Sequence, residues 1–178
     1  MSLTTRVVEY EDGDTLLEGF FAFPTEIHGP LPCVLVAHMW DGRSAFVCSK
    51  ARELAKLGYA AFALDMYGKG VVGTNPEENT QLMQPFVQDR SLLARRMGLA
   101  LTTLANLPEA DGDQIGAIGF CFGGMCVLDL ARSNADVRGV VSFHGLLDPP
   151  PDPGLSGRPR SRSRWPHLRG CWLRWSRG

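Results

Sequence analysis

A cysteine set between glycines, Gly119-Phe120-Cys121-Phe122-Gly123, is the pattern in this sequence best suited to covalent chemistry. A thiolate on a sharp strand-to-helix turn can attack an electrophilic carbon and carry it as a covalent intermediate. Gly119 and Gly123 have no Cβ to obstruct such a turn, and Gly124 extends the permissive stretch. At a helix N-terminus Cys121 would meet the partial positive charge of unpaired amides, which favours the thiolate. The N–H of Phe122 would then face the oxygen of a tetrahedral intermediate. A second donor has to come from another loop, and the Trp40 N–H within His38-Met39-Trp40-Asp41-Gly42 is the candidate. The side chains of His38, Met39, Trp40 and Tyr67 are expected around the pocket. The plain alternative is a glycine-rich junction holding a buried structural cysteine. A phosphate-binding loop fits less well, because no Lys-Ser/Thr follows and the dinucleotide fingerprint is missing.

For this turn to form, a buried strand must lead into it and a helix must leave it. Residues 114–119 read as that strand and 123–132 as that helix. Upstream, residues 6–10 and 16–23 alternate apolar and polar positions on either side of Asp12-Gly13, which predicts an antiparallel hairpin. The continuous apolar run at 33–37 suits a strand covered on both faces, as does 60–64. Between them, residues 44–57 repeat apolar positions at helical spacing and end before Gly58. Residues 80–106 predict a helix interrupted near Pro85, and 137–143 a further strand. Alternating strands and helices argue for a mostly parallel sheet with helices on both faces, and no internal repeat is evident.

Composition narrows the possibilities further. Within 178 residues of net charge −1, positions 1–148 hold 11 Lys and Arg against 18 Asp and Glu, while positions 149–178 hold 7 Arg against the single Asp152. The acidic body therefore offers no general attraction to nucleic acid or anionic membranes. No apolar run reaches the roughly 20 residues of a membrane span, and the start lacks a signal-peptide pattern. Five cysteines without CxxC pairing or zinc-like spacing read as free thiols, which places the expectation in the cytoplasm.

Three ordered blocks give the chain a family likeness: residues 37–42 (AHMWDG), 64–70 (LDMYGKG) and 118–124 (IGFCFGG). With these, roughly residues 5–148 resemble the dienelactone hydrolase family of α/β hydrolases. The resemblance implies a three-layer α/β sandwich with a mostly parallel sheet and an N-terminal antiparallel hairpin. It also implies cleavage of a small lactone or carboxylic ester by a Cys-Asp-His triad, with Cys121 as nucleophile and no metal or organic cofactor. One departure is Met39, where the family carries a glutamate that interacts with the nucleophile; pocket lining is the simple role for a methionine here.

A larger departure follows Phe143, where the family continues with a strand bearing the triad Asp and a loop bearing the triad His. Neither partner can be placed. His144 and Asp148 come too early and in reversed order, so turn roles are expected for both. His38 is expected to give structural support or touch substrate, Asp65 to order the turn before Tyr67, and His28 to be solvated. Residues 149–178 carry six prolines, seven arginines, three of the four tryptophans and no lysine, with His167 among them. That bias is expected when GC-rich DNA is read out of frame, so a frame shift soon after residue 148, leaving the fold incomplete, is the leading expectation. The other reading is a disordered basic appendage whose Arg and Trp could contact single-stranded nucleic acid. The rival to an ester-cleaving enzyme is a silent binding scaffold in which Cys121 is a remnant or a redox-sensitive thiol.

Overall fold

A computed structural model describes residues 2–147. Asp148 and the expectations for 149–178 lie outside the described residues. The chain opens with β1 (Leu3–Asp12) and β2 (Thr15–Pro24), paired antiparallel in unbroken register from Leu3↔Pro24 to Asp12↔Thr15. The turn is Gly13-Asp14, one residue later than the sequence suggests, and Gly13 supplies its left-handed φ of 59°. There follow β3 (Leu31–Ala37), α1 (Ala45–Lys56), β4 (Ala60–Ala63), α2 (Pro76–Gln88), α3 (Arg90–Ala105), β5 (Ala110–Phe120), α4 (Phe122–Arg132) and β6 (Gly139–Phe143).

These strands form one sheet in the order β1-β2-β4-β3-β5-β6. β2 meets β4 antiparallel, whereas β3–β4, β3–β5 and β5–β6 are parallel. Each parallel step needs a helical crossover. α1 carries the chain from β3 to β4 on one side of β3, and α2 with α3 carry it back to β5 on the other. The order thus reverses at β3, so the loops leaving the carboxyl ends of β3 and β5 flank a crevice.

The pleat sorts the core into two layers. Phe21, Phe23, Cys33, Leu35, Ala60 and Phe62 face α3 and α4 with Leu93, Met97 and Met125. Their alternates Phe20, Ala22, Val36, Ala61 and Ala63 face α1 with Val47, Ala51 and Ala55. β3 and β4 are buried on both faces, as their apolar runs imply.

The helical stretch differs from its sequence reading. It begins earlier, where Asn75 Oδ1 accepts from Glu78 N–H at 2.9 Å with Pro76 at the first helical position. It divides at Asp89, not at Pro85: Pro85 stays inside α2, and the Asp89 carboxylate accepts from the N–H groups of Ser91 and Leu92 to start α3. An N-cap acceptor, rather than the missing proline donor, sets the break.

Candidate active site

Cys121 lies between the last residue of β5 and the first of α4, with φ 54° and ψ −115°. A β-substituted residue in this region is strained by about 1–3 kcal/mol, a cost found mainly at functional sites. Its neighbours make the turn possible. A Cβ on Gly119 would stand 1.9 Å from the Gly123 carbonyl oxygen, and one on Gly123 would stand 2.4 Å from the Ala37 carbonyl oxygen. α4 therefore starts pressed against both its own strand and the exit of β3. The Cys121 N–H donates to Phe143 O at 3.0 Å, and its carbonyl accepts from Gly124 N–H. The thiol is half-buried, while the other cysteines among the described residues are buried. Burial pushes the Cys33 thiol up to about 12 and raises Cys126 as well, so both stay protonated.

The loop after β3 is held in place from the loop after β4. His38 is fully buried, which favours structural support among the two roles expected of it from sequence. Met66 N–H donates to its Nε2 at 3.2 Å, which leaves the proton on Nδ1 for the Met39 carbonyl at 2.6 Å. Burial lowers the His38 pKa, and the bond to Met39 opposes that only in part. Met39, Trp40 and Tyr67 are partly exposed around the crevice. The Tyr67 hydroxyl donates to Trp40 O at 3.0 Å, and its ring stacks on Phe122 with centroids 5.9 Å apart.

Asp65 orders its turn, as expected. Oδ1 accepts from Tyr67 and Gly68 N–H at 2.9 and 3.1 Å, and Oδ2 accepts from Glu18 N–H. His28 is exposed, and His144, also exposed, takes a left-handed φ of 43° after β6. Neither histidine is part of the clamp around Cys121.

Three participants escaped the sequence reading. Phe86 from α2 packs on both Tyr67 and Phe122, with centroids at 5.6 and 6.0 Å. Arg96 donates to Met66 O at 2.7 Å and pairs with Asp12 at the first hairpin. Tyr10 OH donates to Asp65 O at 2.9 Å and accepts from Asp65 N–H at 3.0 Å. An arginine three residues after Leu93 and next to Met97, on the apolar side of its helix, and a tyrosine at an even strand position were the available signals. A separate surface depression at Pro30 and residues 110–113 lies at the opposite end of β5 from Cys121.

No helix among the described residues is long and apolar enough to cross a membrane. No group of three or more His, Cys, Asp or Glu among them is placed to hold a metal ion.

A sheet whose order reverses beside a strained residue at the β5–α4 junction defines the α/β-hydrolase class. The chain belongs to the dienelactone hydrolase family, whose model matches residues 17–159. It is similar to the crystal structure of a dienelactone hydrolase-like promiscuous phosphotriesterase from metagenomic libraries. That match is 39% identical with a TM-score of 0.85, covering 90% of this chain and 66% of that one. A Bradyrhizobium sp protein named as a probable 2-oxo-3-(5-oxofuran-2-ylidene)propanoate lactonase is 28% identical over 151 residues, covering 83% of this chain and 60% of its own. A carboxymethylenebutenolidase of Pseudomonas putida is 25% identical over 123 residues, covering 66% and 51%. The chain thus spans between about half and two thirds of the length of these relatives.

Proposed function

We propose that the protein cleaves a small carboxylic ester or lactone through Cys121. The observation carrying this reading is the strained φ of Cys121 at the tip of β5, in a turn closed to any Cβ at 119 or 123. Cys121 Sγ, as the thiolate, attacks the carbonyl carbon, and the amides of Phe122 and Trp40 donate to the oxygen that becomes negative. The Phe122 amide, first of α4, has no partner within the helix, and the Trp40 amide comes from the loop that leaves β3. The tetrahedral intermediate collapses to an acyl thioester and expels the alcohol oxygen, which takes a proton from water unless it is stable as the anion. Hydroxide or base-activated water then releases the acid. His38 is not that base, because both of its ring nitrogens are already engaged.

Met39 and Tyr67 form the pocket walls in this reading, and the ligand is a small molecule rather than a polymer. Cytoplasmic reducing conditions suit a free thiol. Similarity to a promiscuous phosphotriesterase adds phosphotriesters to the electrophiles worth assaying.

Iodoacetamide labelling below neutral pH, mapped by peptide mass, together with p-nitrophenolate release from p-nitrophenyl acetate, tests the proposal. Rapid labelling at Cys121 and a stoichiometric release abolished by Cys121→Ala are expected. An inert Cys121 with no release would instead identify a silent scaffold.

A further inference from the structure

Two peptide planes meet at Trp40, and each is anchored by a different side chain. The plane that carries the Trp40 N–H also carries the Met39 carbonyl, which is held by His38 Nδ1 and by Gly42 N–H at 3.3 Å. In a trans peptide the N–H points opposite to that carbonyl, so its direction is set. The next plane carries the Trp40 carbonyl, held by the Tyr67 hydroxyl. Tyr67 also stacks at 27° on Phe122, whose amide begins α4, and meets the His38 ring edge-on at 4.8 Å. The Asp65 carboxylate in turn grips the Tyr67 N–H. One side chain therefore touches both loops that flank the crevice.

We propose that Tyr67 is a positioning residue that holds Trp40 from its carbonyl side relative to Phe122, so that the amides of both reach the same oxyanion. This rests on the reading of Cys121 as an acylated nucleophile. Tyr67 contacts the backbone of one donor residue and the ring of the other, and no proton leaves it. Burial raises its phenol above the ordinary value, which keeps it a donor across the working range.

The test separates two reactions of the same sulfur. Acylation by p-nitrophenyl acetate passes through an oxyanion, whereas alkylation by iodoacetamide is displacement at a saturated carbon and does not. In the full chain, Tyr67→Phe keeps the ring on Phe122 and removes only the hydroxyl. It is expected to slow acylation of Cys121 by about tenfold, less than loss of a donor itself. Alkylation should stay within about twofold of wild type, since the thiolate is untouched. Equal acylation in wild type and variant would overturn the role of Tyr67 alone. A parallel fall in both reactions would also overturn it, pointing to general damage at the elbow. A wild-type Cys121 that alkylates but never acylates would overturn the ester-cleaving reading and the role of Tyr67 together.

Discussion

His38 joins two loops only while it is neutral, because Nε2 must accept from Met66 N–H as Nδ1 donates to Met39. Its pKa is lowered in the fold, so below about pH 6.5 the unfolded chain binds a proton that the folded chain resists. The clamp's contribution is complete above that value and declines as pH falls. Urea unfolding of wild type at about pH 7.5 and 5.5 should show the loss, and His38→Asn should flatten the dependence between them. An unchanged slope in the variant would mean that other groups govern it. The glycines around Cys121 were legible in sequence because a strained turn admits few residue types. The inward turn of His38 was not, since it depends on an amide 28 positions away.

Among the elements, the break between α2 and α3 turns on a single carboxylate. Asp89 caps two amides of α3, and Asp89→Ala should cost about 1 kcal/mol, seen as a lower urea midpoint without loss of helix in α2. A shift well under that value would assign the break to packing of Phe86 and Arg90 instead. Sequence reading placed the interruption near Pro85 because proline is the stronger general breaker. In the fold Pro85 stays inside α2, and its carbonyl accepts from Asp89 N–H at 2.8 Å. The hairpin, β3, β4 and α1 were readable because period-two and helical patterns sort their faces. β5 was read short, since its first residues, Ala110 to Asp113, are mostly polar or small.

Across the whole molecule, both core layers share the same strands. Leu35 faces α3 and α4 while its neighbour Val36 faces α1, and both are fully buried. Leu35→Ala should cost about 2–5 kcal/mol and Val36→Ala less, each within one cooperative transition that far-UV dichroism and calorimetry report at the same midpoint. Separate transitions would show that the layers are independent. A mostly parallel sheet was predictable from alternating elements, but its reversal at β3 was not, because local patterns do not say on which side of a strand a crossover lands. The hydrogen bond from Cys121 N–H to Phe143 O joins this scale to the first. β6 has β5 as its only strand neighbour among the described residues. The turn that holds Cys121 is therefore moored to a strand at the described edge of the sheet, and the solvent exchange of that one amide proton would gauge how firmly the margin holds it.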